Sequence, residues 1–198
     1  MPTLTASLVL ASASPRRRAI LETLGLPCFV EASGVPEVRA EGEPAVAYAQ
    51  RLAAAKATDV ATRFADGTVV LGADTVVVVD GDVLEKAASP AQAAAMIARF
   101  AGRTHEVVTA MALVRRPTGV VAEAQVTTRV TFRALDAGMI ARYVATGDGD
   151  GKAGAYAVQG VGAGLVTRIE GSYLNVVGLP AAELLDLLSS AGVLVEWP

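Results

Sequence analysis

Among its 198 residues the sequence has one cysteine, Cys28, and one histidine, His105. A single thiol excludes an intrachain disulfide framework, and so few nitrogen and sulfur ligands leave little for a structural zinc site. No stretch reaches the roughly eighteen apolar residues needed to span a bilayer. The opening residues, Met1-Pro2-Thr3-Leu4-Thr5, lack the basic stretch of a secretory signal, so cytoplasm is the expected location. Charge is scarce as well. At 19% charged residues and a formal net charge of −3, no global positive field draws the chain to nucleic acid or an acidic membrane. Two catalytic signatures are also missing: the phosphate loop G-x-x-x-x-G-K-S/T and the nucleophile elbow G-x-S-x-G.

What is present is core material. The chain is 53% hydrophobic, which excludes disorder, and no internal repeat or low-complexity linker divides it. One domain over 1–198 is expected, with two small lobes sharing a sheet as the other arrangement this length allows. Leu8–Ala11 reads as a buried strand running into Ser14-Pro15, where serine caps a helix whose first residue needs no N–H. Gly25 closes that helix, and a loop follows from Ser33 to Glu43. Pro44 opens a long helix toward Phe64, with Tyr48, Leu52, Ala55 and Val60 near one side. Val69–Val79 reads as a strand turning at Asp80-Gly81, and Ser89-Pro90 starts a helix ended by Gly102. Strands are expected over 107–114 and 120–132 around the turn at Pro117-Thr118-Gly119. A helix capped by Asp136 stops at Gly147, a glycine-rich segment runs to Gly164, and Leu165–Ile169 and Asn175–Val177 read as short strands. Pro180 starts a last helix ending near Gly192. Strands and helices interleave without strict alternation, which predicts an α/β fold with a mixed sheet and flanking helices.

Three constellations could carry chemistry. The turn at Ser12–Arg18 sets backbone N–H groups, the Ser12 hydroxyl, Arg16 and Arg17 at a helix start, which suits a polyphosphate, or is a solvated basic turn. Asp74-Thr75 lies inside an apolar strand, where a carboxylate is expensive unless it meets a cation, a metal or donors. The other reading has Gly72 marking a bulge and Asp74 capping a turn. Lys86, beyond the Asp80-Gly81 turn, could return on a paired strand toward Asp74, or be a surface lysine. The third is Gly147–Gly164, with Lys152 as a charge and Gln159 as a paired donor and acceptor, on a segment that could also be an ordinary loop. His105 reads as a hydrogen-bonded edge residue, Cys28 as packing and Trp197 as an anchor.

Together these segments resemble the Maf family of nucleotide pyrophosphatases. The resemblance rests on Leu10–Arg17, Arg51-Leu52-Ala53 with Lys56-Ala57, Gly72–Val77, Glu85-Lys86, Gly102–Thr109, Lys152–Tyr156 with Gln159-Gly160, and Gly171–Tyr173 through Val177–Pro180. It implies an elongated mixed α/β fold similar to inosine triphosphatases, with two lobes around a cleft, and often a homodimer. It also implies a divalent metal, Mg²⁺ or Mn²⁺, and release of pyrophosphate from a nucleoside triphosphate. The family's catalytic acid falls on Asp74, its lysines on Lys56 and Lys86, and its loop carboxylate on Glu37. Asp74 and Glu37 are thus the metal-ligand candidates. Pro36, Ala87 and Gly149 depart from the residues usual at those places. Arg16, Thr75 and Gln159 resemble the subgroup acting on dTTP and UTP, a range that could extend to modified pyrimidine nucleotides in a house-cleaning role. A Gln amide can accept from N3–H and donate to O4 of thymine or uracil, though it can also serve other bases. The rival readings are a nucleotide-sensing regulator of cell division without turnover, and a nucleic-acid-binding protein, which the negative charge disfavours.

Overall fold

A computed structural model describes residues 2–197. A seven-stranded mixed sheet is flanked by helices, as the interleaved pattern predicts. Its strands run in the order β3–β2–β4–β6–β7–β8, with β5 paired to β4. These are β2 (Leu8–Leu10), β3 (Cys28–Val30), β4 (Val69–Val79), β5 (Asp82–Leu84), β6 (Thr104–Arg115), β7 (Gly119–Phe132) and β8 (Val166–Glu170). β2 is parallel to both β3 and β4, whereas β5 and β8 are antiparallel to β4 and β7. A separate two-stranded sheet joins β1 (Thr3–Leu4) to β9 (Leu194–Glu196). Among the described residues no helix is long and apolar enough to cross a membrane.

The helices start where their caps require. Ser14 accepts from the Arg17 N–H at the start of α1 (Pro15–Thr23), and Ser89 accepts from Gln92 ahead of α3 (Pro90–Phe100). Asp136 accepts from Met139 at α4 (Ala137–Ala145). Each side-chain oxygen satisfies a backbone donor that the helix itself leaves open. The Pro44 helix, α2 (Ala45–Ala61), stops three residues before Phe64. Tyr48, Leu52 and Val60 are buried on one face, while Ala55 is only half-buried. The last helix, α6, covers Ala181–Ser190.

One expected strand is a helix. Asn175–Val177 belongs to α5 (Tyr173–Val177), because the Ser172 hydroxyl accepts from the Asn175 N–H and starts a turn. The Asn175 amide donates to the Val107 carbonyl and the Thr128 hydroxyl instead of entering a ladder. Three residues, one of them a polar asparagine, cannot declare their own period.

The chain forms two compact units. The first comprises the chain up to Asp74, Thr109–Val126 and the chain from Gly178 on. The second comprises Thr75–Val108 and Thr127–Val177. The first contains a core of Val9, Ala11, Ala57, Val60, Val70 and Val114. The second is centred on Phe100, Phe132, Tyr143, Tyr156 and Leu165 with Val77 and Val79.

Candidate active site

In the first unit, β4 carries Asp74 with only 7% of the residue exposed. Gly72, two residues earlier, is neither a bulge nor a strand end. It lies inside β4, where an added Cβ would stand 2.0 Å from the Ala53 carbonyl oxygen and 2.9 Å from the Ala57 Cβ. Helix α2 therefore touches the strand backbone through a surface that only glycine and alanine leave open. That contact sets the reach of Lys56, which lies between Ala53 and Ala57.

The Lys56 ammonium donates to Asp74 Oδ1 at 2.6 Å and to Glu37 Oε1 at 2.6 Å. Glu37 comes from the loop before α2, and that loop is tied to the helix on both sides of it. Asp59 accepts from the Ser33 hydroxyl at 2.8 Å and the Gly34 N–H at 3.1 Å, while Arg51 donates to the Val38 carbonyl at 3.0 Å. Burial pushes the Asp74 carboxyl above the ordinary aspartate range, opposed by the Lys56 ammonium and by Arg17. A carboxylate with raised basicity, held by one ammonium, can accept a proton from water.

The helix-start turn supplies the facing positive charge. Ser12 Oγ accepts from the Ser14 N–H and from Arg17 Nη1, both at 3.2 Å. Since both bonds use the oxygen as acceptor, the hydroxyl proton is available for donation. Arg17 Nε donates to the Gly178 carbonyl at 2.8 Å, which fixes the guanidinium plane. Burial lowers the Arg17 pKa, opposed by the Asp74 charge, and the group remains a cation. Arg16 is half-buried beside it. The structure thus gathers Ser12, Arg16, Arg17, Glu37, Lys56 and Asp74 in the first unit. The Gly178 carbonyl escaped the sequence reading, because a backbone acceptor leaves no mark in residue type.

Thr75, Lys86, Lys152 and Gln159 belong to the second unit. The β4–β5 ladder ends at the pairing of Val77 with Leu84, and Lys86 lies two residues beyond it. Lys86 is exposed and forms an antiparallel bridge with Ala153, next to Lys152. The Lys152 ammonium donates to the Asp148 carbonyl at 2.5 Å. Gln159 is exposed at the start of a 3-10 turn over Gly160–Leu165, and its side chain does not cap that turn. The segment carrying both is folded on itself. A Cβ at Gly149 would lie 2.0 Å from the Ala155 carbonyl oxygen, and the Gly162 N–H donates to Asp148 at 2.9 Å.

His105 is not an edge residue. β6 lies between β4 and β7, and the ring is 2% exposed among Phe100, Phe132 and Tyr156. It shares a 2.7 Å hydrogen bond between Nε2 and the Tyr156 hydroxyl. Burial lowers its pKa to about 4, so the ring is neutral at pH 7. Tyr143, which accepts from the Ala157 N–H, is pushed up to about 12 by the same cause. These residues support the glycine-rich segment from beneath, a role that a lone histidine in sequence does not announce. Cys28 is half-buried on β3, and Trp197 donates to the Leu24 carbonyl at 3.1 Å as an anchor would.

Among the described residues, no three His, Cys, Asp or Glu side chains are grouped to hold a metal ion. Asp74 and Glu37 do offer two hard oxygen donors around one point. Such a pair fits Mg²⁺ or Mn²⁺ when phosphate and water complete the coordination.

A buried aspartate that shares a lysine with an exposed loop glutamate, facing cations at a helix start, defines a class of protein that handles phosphorylated ligands. The comparisons with known proteins place the chain more narrowly. The family model described as Maf-like protein matches residues 7–191, and the chain belongs to that family. It is 50% identical over 186 residues to a dTTP/UTP pyrophosphatase of Moorella thermoacetica, covering 94% of this chain and 95% of the relative. A dTTP/UTP pyrophosphatase of Myxococcus xanthus is 47% identical over 190 residues, covering 96% and 95%. Among solved structures, a nucleoside-triphosphatase / dITP/XTP pyrophosphatase of Mycobacterium abscessus aligns with a TM-score of 0.41 and 17% identity, over 65% of this chain and 75% of that one.

Proposed function

We propose that this chain hydrolyses dTTP and UTP to the monophosphate and pyrophosphate. Full-length relatives named for that reaction support the substrate class. The observation that carries the chemistry is Asp74, buried, raised in basicity and held at 2.6 Å by Lys56. Asp74 takes the proton of a water whose oxygen bonds to the α-phosphorus. The bond from that phosphorus to the bridging oxygen of the β-phosphate then breaks, and pyrophosphate leaves with the electron pair. Arg16, Arg17 and Lys56 neutralise phosphate charge, and the Ser12 hydroxyl donates to a phosphate oxygen.

A divalent metal held by Asp74 and Glu37 would supply Lewis-acid polarisation of the phosphate. Lys86 and Lys152 are assigned to the phosphates and Thr75 and Gln159 to pyrimidine selection on the family resemblance. A cytoplasmic setting and a homodimeric state belong to the same proposal.

The test is a panel of nucleoside triphosphates incubated with the protein and Mg²⁺, with products separated by ion exchange. Pyrophosphate and monophosphate from dTTP and UTP are the expected products. A nucleoside diphosphate as first product would sink the assignment, and tight binding without turnover would point to a sensor.

A further inference from the structure

The Asp74–Glu37 pair already has a cation. Lys56 places one ammonium 2.6 Å from an oxygen of each carboxylate, in the space that a metal ion shared by those two oxygens would take. The two cannot occupy it together. Nor can the helix retreat, because α2 is in backbone contact with β4 at Gly72. The adjustment therefore falls to side chains, and of the two groups that hold the buried Asp74–Lys56 pair it is the long Lys56 stem that can swing its charge away. We propose that Lys56 is the resident counter-ion of these carboxylates, and that a divalent ion is admitted only when a polyphosphate arrives to receive the displaced ammonium.

The charge balance leads to the same order of events. Before any ligand binds, the two carboxylates are matched by Lys56 and Arg17, with Arg16 adding to the positive side. A bare divalent ion would enter beside fixed cations in a buried site, where like charges repel far more than in water. It would also find only two protein ligands, since no third acidic or histidine side chain is grouped there among the described residues. A triphosphate reverses both conditions. Its oxygens supply ligands, and its negative charge offers the Lys56 ammonium a new partner beside the same carboxylates. Lys56 thereby acts as a positioning residue that gates metal entry, and its chemistry is that of a transferable ion pair. The nucleotide half of this inference rests on the proposed function, whereas the metal half does not.

The experiment titrates Mn²⁺ into the full chain without nucleotide, read by electron paramagnetic resonance. Lys56→Met keeps an unbranched stem of similar length and removes the charge. The parent protein is expected to hold Mn²⁺ only in the millimolar range. Lys56→Met is expected to bind it at least about tenfold more tightly, since the carboxylates lose the one ammonium that both of them hold. Adding a dTTP analogue with a methylene bridge between the α- and β-phosphorus should tighten Mn²⁺ strongly in the parent and much less in the variant. Tight Mn²⁺ binding by the parent alone, or no gain in Lys56→Met, overturns the proposal. Should the variant fail to fold, the Lys56 ammonium resonance of the parent gives the answer. Mg²⁺ alone should leave it unmoved and Mg²⁺ with the analogue should shift it, and a shift with Mg²⁺ alone overturns the proposal. A gain of metal affinity in a chain that proves inactive on triphosphates would defeat the substrate assignment and leave the counter-ion role standing.

Discussion

The two units bury titratable groups by opposite means. In the first, the buried Lys56 and Asp74 form an ion pair, and Lys56 also reaches the exposed Glu37, so their charges are kept and paired. In the second, His105 and Tyr156 are kept neutral inside an aromatic shell and share one hydrogen bond. Pairing preserves ionic groups that a reaction can use, at the expense of desolvation. Neutralisation removes the groups from chemistry and leaves rigidity. The contrast therefore separates residues kept charged from residues kept neutral without reference to any relative.

The largest break in that contrast is Asp74→Asn. The amide keeps the shape but not the negative charge or the basicity, so kcat should fall by about 10²–10⁴, the contribution typical of a positioned base. Folding should persist, since a neutral amide is cheaper to bury than a carboxylate. Steady-state kinetics with a thermal melt tests both. A folded variant of near-parental activity would shift attention to Glu37.

His105 sharpens the other side. Its folded pKa of about 4 lies below the usual 6.5. Between those values the unfolded chain binds the extra proton, so stability is lost as pH falls from 6.5 toward 4. The full linkage is about 3 kcal/mol. Melting temperatures of the parent and His105→Gln across that range should converge at acid pH. Parallel curves would show that the ring titrates normally.

The smallest effect expected is that of Tyr156→Phe. It removes the hydroxyl bonded to Nε2 and leaves the aromatic packing, for a loss of about 1–3 kcal/mol from a buried partner left unmade. Chemical denaturation at pH 7 measures it, and kcat should change little. A drop in kcat as large as that of Asp74→Asn would place the pair in the chemistry.

Local signals made much of the framework legible. Ser14-Pro15, Ser89-Pro90 and Asp136 declare helix starts, and Asp80-Gly81 declares the β4–β5 hairpin with both residues at positive φ. Strands β1, β3 and β9 were not legible, since two or three residues, in β3 largely exposed, have no readable period. In the site, Asp74 stood out because a carboxylate in an apolar strand demands a reason. The resemblance assigned Lys56 to the site, but its grip on Asp74 was hidden, because a lysine in an alanine-rich helix looks like surface. The missing clue was the small-residue contact of Gly72 with Ala53 and Ala57, which joins segments far apart in sequence.

Position 72 also has a genetic consequence. Every missense change in its codon adds at least one carbon atom, and that first carbon lands 2.0 Å from a main-chain oxygen. A drifting lineage has no mild intermediate there, and a side chain trimmed elsewhere cannot make room, because the obstacle is backbone. Random mutagenesis of the gene should therefore return synonymous changes at codon 72 and lose the rest, even in a screen that asks only for soluble protein.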